Sequence, residues 1–321
     1  MNKRIPFRTG LIIMEGPTWD YPKPPFKGRG WHIEYNDYKD KHRIDIQKEV
    51  IIFALNKLTA QKTLNLILNC LELYSGQPTS PFGDLSLLAY NEEDHEFIES
   101  HQFKDRQCSY ISTSGIPVAC LIASKVCQKK KYIYALAKYK FSVALYNEFA
   151  VDLEPWSAPH LPISQHPEEH IVFCHAIISA YSVLEELGLE VRASHKNPRI
   201  IKGEWNPKVQ KDLENRLEKA GVNLLEQFLW VIRGPKRKLE ARNQIPIIEK
   251  MHWSSGPVKD AKVDILEAIA YASWLRSKVS SHKTKDITAS ISPYEVNNSQ
   301  GLARRLFLES LGLWREHFVE Q

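Results

Sequence analysis

Apolar residues recur every three or four positions along most of this chain, and that spacing predicts amphipathic helices. The clearest stripe predicts a helix from Val258 to about Ser281, and its members are Ala261, Ile265, Ile269, Ala272, Leu275 and Val279. A second helix is predicted after a short polar loop, because Ser292 can cap it, Pro293 suits its first position and Glu295 completes a capping box. Its stripe is Val296, Ala303, Leu306, Phe307, Leu311 and Trp314.

The same spacing predicts further helices upstream. They are one long helix or two in tandem from Asp45 to Tyr74, the longest helix from Pro117 to Phe149, a helix from His170 to Leu187 closed by Gly188, a short helix from Asn206-Pro207 to Gly221, and a helical turn from Glu226 to Ile232. Residues 1–43 are rich in proline and glycine, and Trp31 to Tyr35 alternates like a short strand. We therefore expect an all-α fold, mainly a helical bundle, with a small irregular or β segment at the N-terminus.

A proline-rich passage from Pro155 to Pro167 is the best candidate for a domain boundary. It predicts an N-terminal helical region, residues 1–164, which would carry the irregular arm and act in sensing or positioning. Residues 165–321 would form a separate helical bundle.

Composition narrows the class of protein. The chain has 321 residues, 43% of them hydrophobic and 25% charged, as in ordinary globular proteins, and its net charge of +5 permits a polyanionic partner without requiring one. Five cysteines without a CxxC pair argue against a disulfide framework or a structural zinc site. No apolar run approaches the length of a membrane span, so we expect a cytoplasmic protein without membrane contact.

Arg276 and His282 are the first candidates for chemistry. Arg276 lies beside the apolar stripe near the end of the predicted helix, and five residues separate it from His282. The two side chains can converge only if the helix ends near the poor helix formers Ser280 and Ser281, which we expect. Histidine moves protons near neutral pH and arginine stabilises phosphoryl charge, so this pair suits RNA cleavage through the 2′-hydroxyl.

The segment from Glu267 to Leu313 resembles the C-terminal half of a HEPN domain, the helical ribonuclease module of many toxin–antitoxin, abortive-infection and phage-defence proteins. The resemblance implies metal-independent RNA cleavage, no cofactor, and a dimer in which two motifs face one cleft. It assigns Arg276 and His282 as the catalytic pair, with Ser277 as the polar residue beside the arginine. The commonest form of the motif has asparagine at the position of Ser277 and four intervening residues.

Partners follow from the same resemblance and from surface patterns. RNA is the expected substrate, and an antitoxin or defence-system partner is possible. A homodimer is expected near residues 274–314, because the large apolar side chains there exceed what one bundle face requires; they include Trp274, Leu306, Phe307 and Trp314. The candidate RNA-binding side chains are Lys278, Lys283, Lys129, Lys130, Lys131, Lys236, Arg237 and Lys238, although lysine runs are also common on solvated helix faces.

Each candidate has a less specific interpretation. Arg276 would simply pair with a nearby acid while His282 favours a helix C-terminus, and the chain would then be a catalytically silent module that binds nucleic acid or protein. A second cluster contains His166, Glu168, Glu169, His170 and His175. It lacks the HExxH order, so we expect solvated residues at a helix start there and no metal site.

Overall fold

In the computed structural model of this chain, the structure is described for residues 4–13, 21–38, 47–76, 88–89, 111–112, 115–150, 167–233, 258–280, 291 and 293–314. These residues form a mixed fold, so the expected all-α class is wrong. The contacts divide the chain into two compact units, residues 1–133 and 134–321. The sequence placed this division between residues 164 and 165, and the roles expected for the two halves stay predictions.

The first unit is built on a β-sheet. Its strands are β1 (Ile5–Ile13), β2 (Phe26–Gly28), β3 (Trp31–Tyr38), β4 (Gln47–Ala54), β5 (Leu88–Ala89) and β6 (Ile111–Ser112), in the order β2-β3-β4-β1-β5 with β6 parallel to β1. Helices α1 (Lys57–Ser75) and α2 (Ile116–Val126) pack on each other, and both contact the sheet. The expected N-terminal arm is therefore part of a sheet.

Strand β4 lies where the sequence predicted the start of a long helix. Its side chains are buried on both faces, with Glu49 and Ile51 as buried as Val50 and Ile52, so the polar–apolar alternation of a half-exposed strand is absent. The β-branched run Val50-Ile51-Ile52 favours a strand, and pairing with β1 and β3 decides the outcome. Helix α1 starts only after the N-cap Asn56, whose side chain accepts a hydrogen bond from the Thr59 N–H.

The second unit consists mainly of helices. Helix α3 (Lys130–Ala150) begins just before the boundary between the units, and α4 (Pro167–Leu187), α5 (Pro207–Lys219), α6 (Ile265–Val279) and α7 (Pro293–Ser310) follow it. The unit also contains two short sheets, one of β7 (Ile200–Ile201) with β8 (Glu204–Trp205) and one of β9 (Gln227–Arg233) with β10 (Val258–Asp264). Instead of one long helix from Pro117, the chain forms α2 and α3.

The antiparallel pair β9–β10 corrects two helix predictions. The turn predicted at Glu226 to Ile232 is a strand, and so are the first seven residues of the helix predicted from Val258. Phe228 lies against the α7 residue Gly301, and Trp230 packs edge-on against the α6 residue Tyr271 at 5.1 Å between ring centroids. A short apolar run does not distinguish helix from strand by its spacing, and here the distant partner strand decides.

Helix α4 packs against both α6 and α7. By length and composition its stretch His170–Leu187 could cross a membrane, with a mean hydropathy of 1.2, and among the described residues it is the one helix that meets this test. More than half of that stretch is buried inside the protein. We interpret α4 as the core helix of the second unit, and Gly188, with φ of +79°, ends it as predicted.

The packing predicts which substitutions unfold the second unit. Phe307 of α7 is fully buried, so Phe307→Ala should lower the free energy of unfolding by about 3–5 kcal/mol through lost burial and a cavity. Leu225 is 93% exposed, and Leu225→Ala should change it by less than about 0.5 kcal/mol. Urea unfolding followed by circular dichroism measures both, and equal effects would show that the burial of Phe307 is wrongly assigned.

Candidate functional site

Helix α6 ends where the candidate motif requires. Its last residue is Val279, and the backbone N–H of Ser280 donates to the carbonyl oxygen of Arg276 at 3.1 Å. The predicted end near Ser280 and Ser281 is therefore confirmed. The predicted stripe is also confirmed from Ile265 onward, since Ile265, Ile269, Ala272, Leu275 and Val279 are all buried. His282 lies outside the described residues.

Arg276 leaves the buried face of α6 and reaches the edge of α4. Its Nη2 lies 3.2 Å from Glu185 Oε1, and the two side chains are 41% and 34% exposed. The Arg276 Nε is buried and has no hydrogen-bond partner among the residues that the structure describes. The guanidinium is thus held at one end by a carboxylate while part of it remains open to solvent.

A row of polar side chains between α4 and α6 continues from this ion pair, and we call it the polar seam. It consists of Tyr181 and Glu185 on α4, Ser273 and Arg276 on α6, and Arg199 from the loop before β7. Tyr181 is buried, hydrogen-bonds with the Ser273 side chain and accepts from the Val191 N–H at 3.1 Å. The seam fixes which side of α6 faces α4, and hence where Arg276 emerges.

Burial shifts the pKa values of two side chains in the polar seam, Tyr181 and Arg199. It raises the pKa of the Tyr181 hydroxyl, so that this group stays neutral and acts through hydrogen bonds. It lowers the pKa of the Arg199 guanidinium, against the opposing effect of Tyr181. The Nη1 of Arg199 donates to the carbonyl oxygen of Ala270 at 3.2 Å, within α6. Arg199 therefore connects the loop before β7 to the helix that carries Arg276 through a hydrogen bond.

Ser277 and Lys278 follow Arg276 in the last turn of α6. Ser277 is exposed, and its hydroxyl donates to the Trp274 carbonyl oxygen at 2.7 Å. The Nζ of Lys278 lies 5.9 Å from the centre of the Trp274 ring, at the outer limit for a cation–π contact. Three of the predicted residues, Arg276, Ser277 and Lys278, thus lie together at the end of α6.

The other predicted RNA-binding residues lie either outside the described residues or in the first unit. Lys283, Lys236, Arg237 and Lys238 lie outside the described residues. Lys129, Lys130 and Lys131 are exposed at the start of α3, in the first unit, whereas Arg276 is in the second. Among the tyrosines near these lysines, Tyr132 and Tyr139 are buried, whereas Tyr134 is half-exposed.

In the histidine-containing cluster at the start of α4, the structure describes a contact between His170 and Cys174. His170 Nε2 lies 3.5 Å from the Cys174 sulfur, one helical turn away. Burial lowers the pKa of His170 and raises that of the Cys174 thiol to about 11, so both groups are neutral at pH 7. His166 lies outside the described residues, and in the described part of the chain no group of three or more metal-binding side chains converges.

One buried charge network escaped the sequence reasoning. Arg305 of α7 contacts Glu309 at 3.2 Å and Glu226 at 2.6 Å, and its Nη1 donates to the Gln227 carbonyl oxygen at 3.0 Å. The spacing of Arg305 and Glu309, four residues apart on a helix, was a usable signal. Arg305 and Glu309 are almost completely buried, so the network ties the start of β9 to α7 and is structural.

No family model, curated protein or solved structure matches this chain. The resemblance to HEPN domains therefore rests on the residues between Glu267 and Leu313 alone.

The Arg276–Glu185 pair and the Arg305–Glu309 pair should respond differently to substitution. Arg276→Ala or Glu185→Gln should each lower the free energy of unfolding by no more than about 1 kcal/mol, because exposed pairs are screened by water. Arg305→Ala should cost about 3–5 kcal/mol, because it leaves Glu309 buried without its cation. Urea unfolding of the three variants is the measurement, and an Arg276→Ala variant as unstable as Arg305→Ala would mark Arg276 as a structural residue.

Proposed function

We propose that this chain is a HEPN-type, metal-independent endoribonuclease that acts in the cytoplasm as a toxin or phage-defence effector. Arg276 and His282 would be its catalytic pair, with Ser277 as the polar residue beside them. The observation that carries the proposal is the half-exposed Arg276 guanidinium in the last turn of α6.

Chain length supports the pairing of Arg276 with His282. His282 is the second residue after Ser280, so their Cα atoms lie within about 7 Å of each other. Ser280 in turn is one helical turn from Arg276. Chain length therefore allows the histidine to reach a phosphate bound by the arginine, as the proposal requires.

The chemistry needs no cofactor, because RNA supplies its own nucleophile. His282 would accept the proton of a 2′-hydroxyl as that oxygen bonds to the adjacent phosphorus. The bond from phosphorus to the 5′ oxygen then breaks and that oxygen takes a proton from water, giving a 2′,3′-cyclic phosphate and a 5′-hydroxyl, while the protonated His282 returns its proton to solvent. The Arg276 guanidinium would stabilise the charge that gathers on the phosphoryl oxygens.

RNA would approach across the last turn of α6. Lys278 is the described lysine closest in sequence to Arg276 and would contact the backbone of the substrate. Lys283, the Lys129–Lys131 run and the Lys236–Lys238 run remain proposed contacts on sequence grounds alone.

A homodimer belongs to the proposal, although most of the large apolar side chains near residues 274–314 do not require one. Trp274, Leu306 and Phe307 are buried within the second unit itself, and their size therefore does not require a partner subunit. The dimer now rests on the HEPN resemblance, in which two motifs share a cleft. An antitoxin or other defence-system partner is proposed on the same basis.

A second candidate function is a catalytically silent module that binds nucleic acid or protein. The ion pair between Arg276 and Glu185 favours it, because an arginine paired with a nearby acid is what this interpretation expects. Under it, Arg276 contributes only to the contact between α4 and α6.

RNA cleavage in the presence of EDTA distinguishes the two functions. Purified protein incubated with mixed RNA should leave cyclic-phosphate ends, and His282→Ala should reduce the rate by about 100-fold or more through loss of proton transfer. Arg276→Ala should reduce it comparably. Arg304→Ala is a matched control, since it removes an arginine of α7 outside the motif and should leave the rate unchanged.

Light scattering on the same samples tests for the dimer that a shared cleft requires. A mass of 37.1 kDa, which is that of a monomer, would rule out a cleft between two subunits. Cleavage that EDTA abolishes, or full activity in a folded His282→Ala variant, would refute the nuclease mechanism. Salt-dependent RNA binding without cleavage would favour the silent module.

A further inference from the structure

Helix α3 presents an exposed apolar stripe on the side opposite its core contacts. Its core side carries Leu136, Tyr139, Ser142 and Val143, all buried. The stripe consists of Tyr134, Ala137, Phe141 and Ala144, all of them exposed residues of the second unit. Tyr134 is 50% exposed and Phe141 56%. Two large aromatic groups at the surface of one helix are unusual unless something covers them.

The spacing of the stripe is that of a helix-packing seam. The intervals from Tyr134 to Ala137, Phe141 and Ala144 are three, four and three residues, as at the a and d positions of a heptad. Large and small residues alternate, so the alanines leave holes between the two aromatic rings. Side chains of a second helix fit such holes.

Lysines flank the stripe on both sides, and one of them forms an ion pair with α4. Lys138 and Lys140 lie about 80° to either side of its centre at about 100° per residue. Between Lys130 and Tyr146 the helix has four lysines and no acidic residue. Lys138 already contacts Glu186 of α4 at 2.8 Å, and Lys140 is exposed. A partner that packs on this stripe therefore meets the Lys140 ammonium at one edge and the part-exposed Lys138–Glu186 ion pair at the other.

This charge pattern selects the kind of partner. In an antiparallel twofold contact between two copies of α3, each flank would meet the same flank of the other copy, and Lys140 would oppose Lys140. Acidic residues on a different helix would complement Lys140 directly and would compete with Glu186 for Lys138, because that ion pair is part-exposed. We propose that the Tyr134–Ala144 stripe of α3 is a docking surface for an amphipathic helix of another protein, with apolar residues at heptad spacing and acidic residues at its flanks. This inference does not depend on the ribonuclease proposal.

Selection from a displayed helix library tests the proposal. The library would fix leucine and isoleucine at the a and d positions and randomise the flanking e and g positions among Glu, Gln and Lys. Full-length protein should enrich glutamate at the flanks, and Phe141→Glu protein should not. Leu225→Glu is the matched control, since Leu225 is more exposed than Phe141 and lies outside α3.

The best enriched helix, made as a fluorescent peptide, then measures each contribution. Phe141→Ala should weaken its binding by about tenfold or more, because a central aromatic anchor is lost. Lys140→Glu should weaken it too and reduce its dependence on salt. Circular dichroism should show both variants folded, as expected for exposed positions.

Other outcomes overturn the proposal. No enrichment, or enrichment of lysine, would rule out an acidic helix as the occupant. Binding of an oligouridylate probe that Phe141→Ala abolishes, without peptide binding, would show a nucleic-acid surface instead. Loss of a dimer in Phe141→Glu, seen by light scattering, would show that a second copy covers the stripe.

Discussion

The second unit depends on the burial of helix α4, which packs against α6 and α7 and is linked to α3 by a hydrogen bond. Ala176 and Ala180 are fully buried on it, and small residues of this kind let neighbouring helices approach closely. Ser142 of α3 donates to the Ala176 carbonyl oxygen at 2.7 Å and accepts from Gln300 of α7 at 3.1 Å. One hydroxyl thus links three helices where water is excluded, and leaving it unpaired would be costly.

The end of α4 organises the region around the candidate site. Arg216 of α5 donates to the carbonyl oxygens of Gly188 and Glu190, which closes the chain after the helix. Tyr181 and Glu185 on the adjoining turns make the polar seam with α6. Because α6 packs by its apolar stripe, Arg276 has one direction in which to leave the interface, and Glu185 lies there. The position of Arg276 is therefore a consequence of how α4 is buried.

Local signals predicted the elements whose boundaries are local. Gly188 after α4, the cap Asn206 with Pro207 at the start of α5, and the end of α6 near Ser280 all match the structure. The failures share one cause. Strands β4 and β9 contain apolar runs and β10 is largely polar, but all three pair with strands that lie elsewhere in the sequence, and hydrophobic spacing carries no information about such partners. Burial of β4 on both faces removed the alternation that identifies a strand.

For the candidate site, too, the sequence predicted the local features and missed the contact that depends on tertiary packing. The sequence located Arg276 at the edge of a stripe and the helix end after it, but not Glu185, which only tertiary packing brings near.

The ion pair between Arg276 and Glu185 is compatible with both a structural role and a catalytic role for the arginine. A guanidinium has five N–H donors in a planar fork, and one carboxylate oxygen near Nη2 leaves others for a phosphate. An exposed pair of this kind is also weak enough for a polyanion to compete with Glu185 for Arg276. The pair would then hold the arginine in position before RNA binds, and the same contact would serve both stability and function.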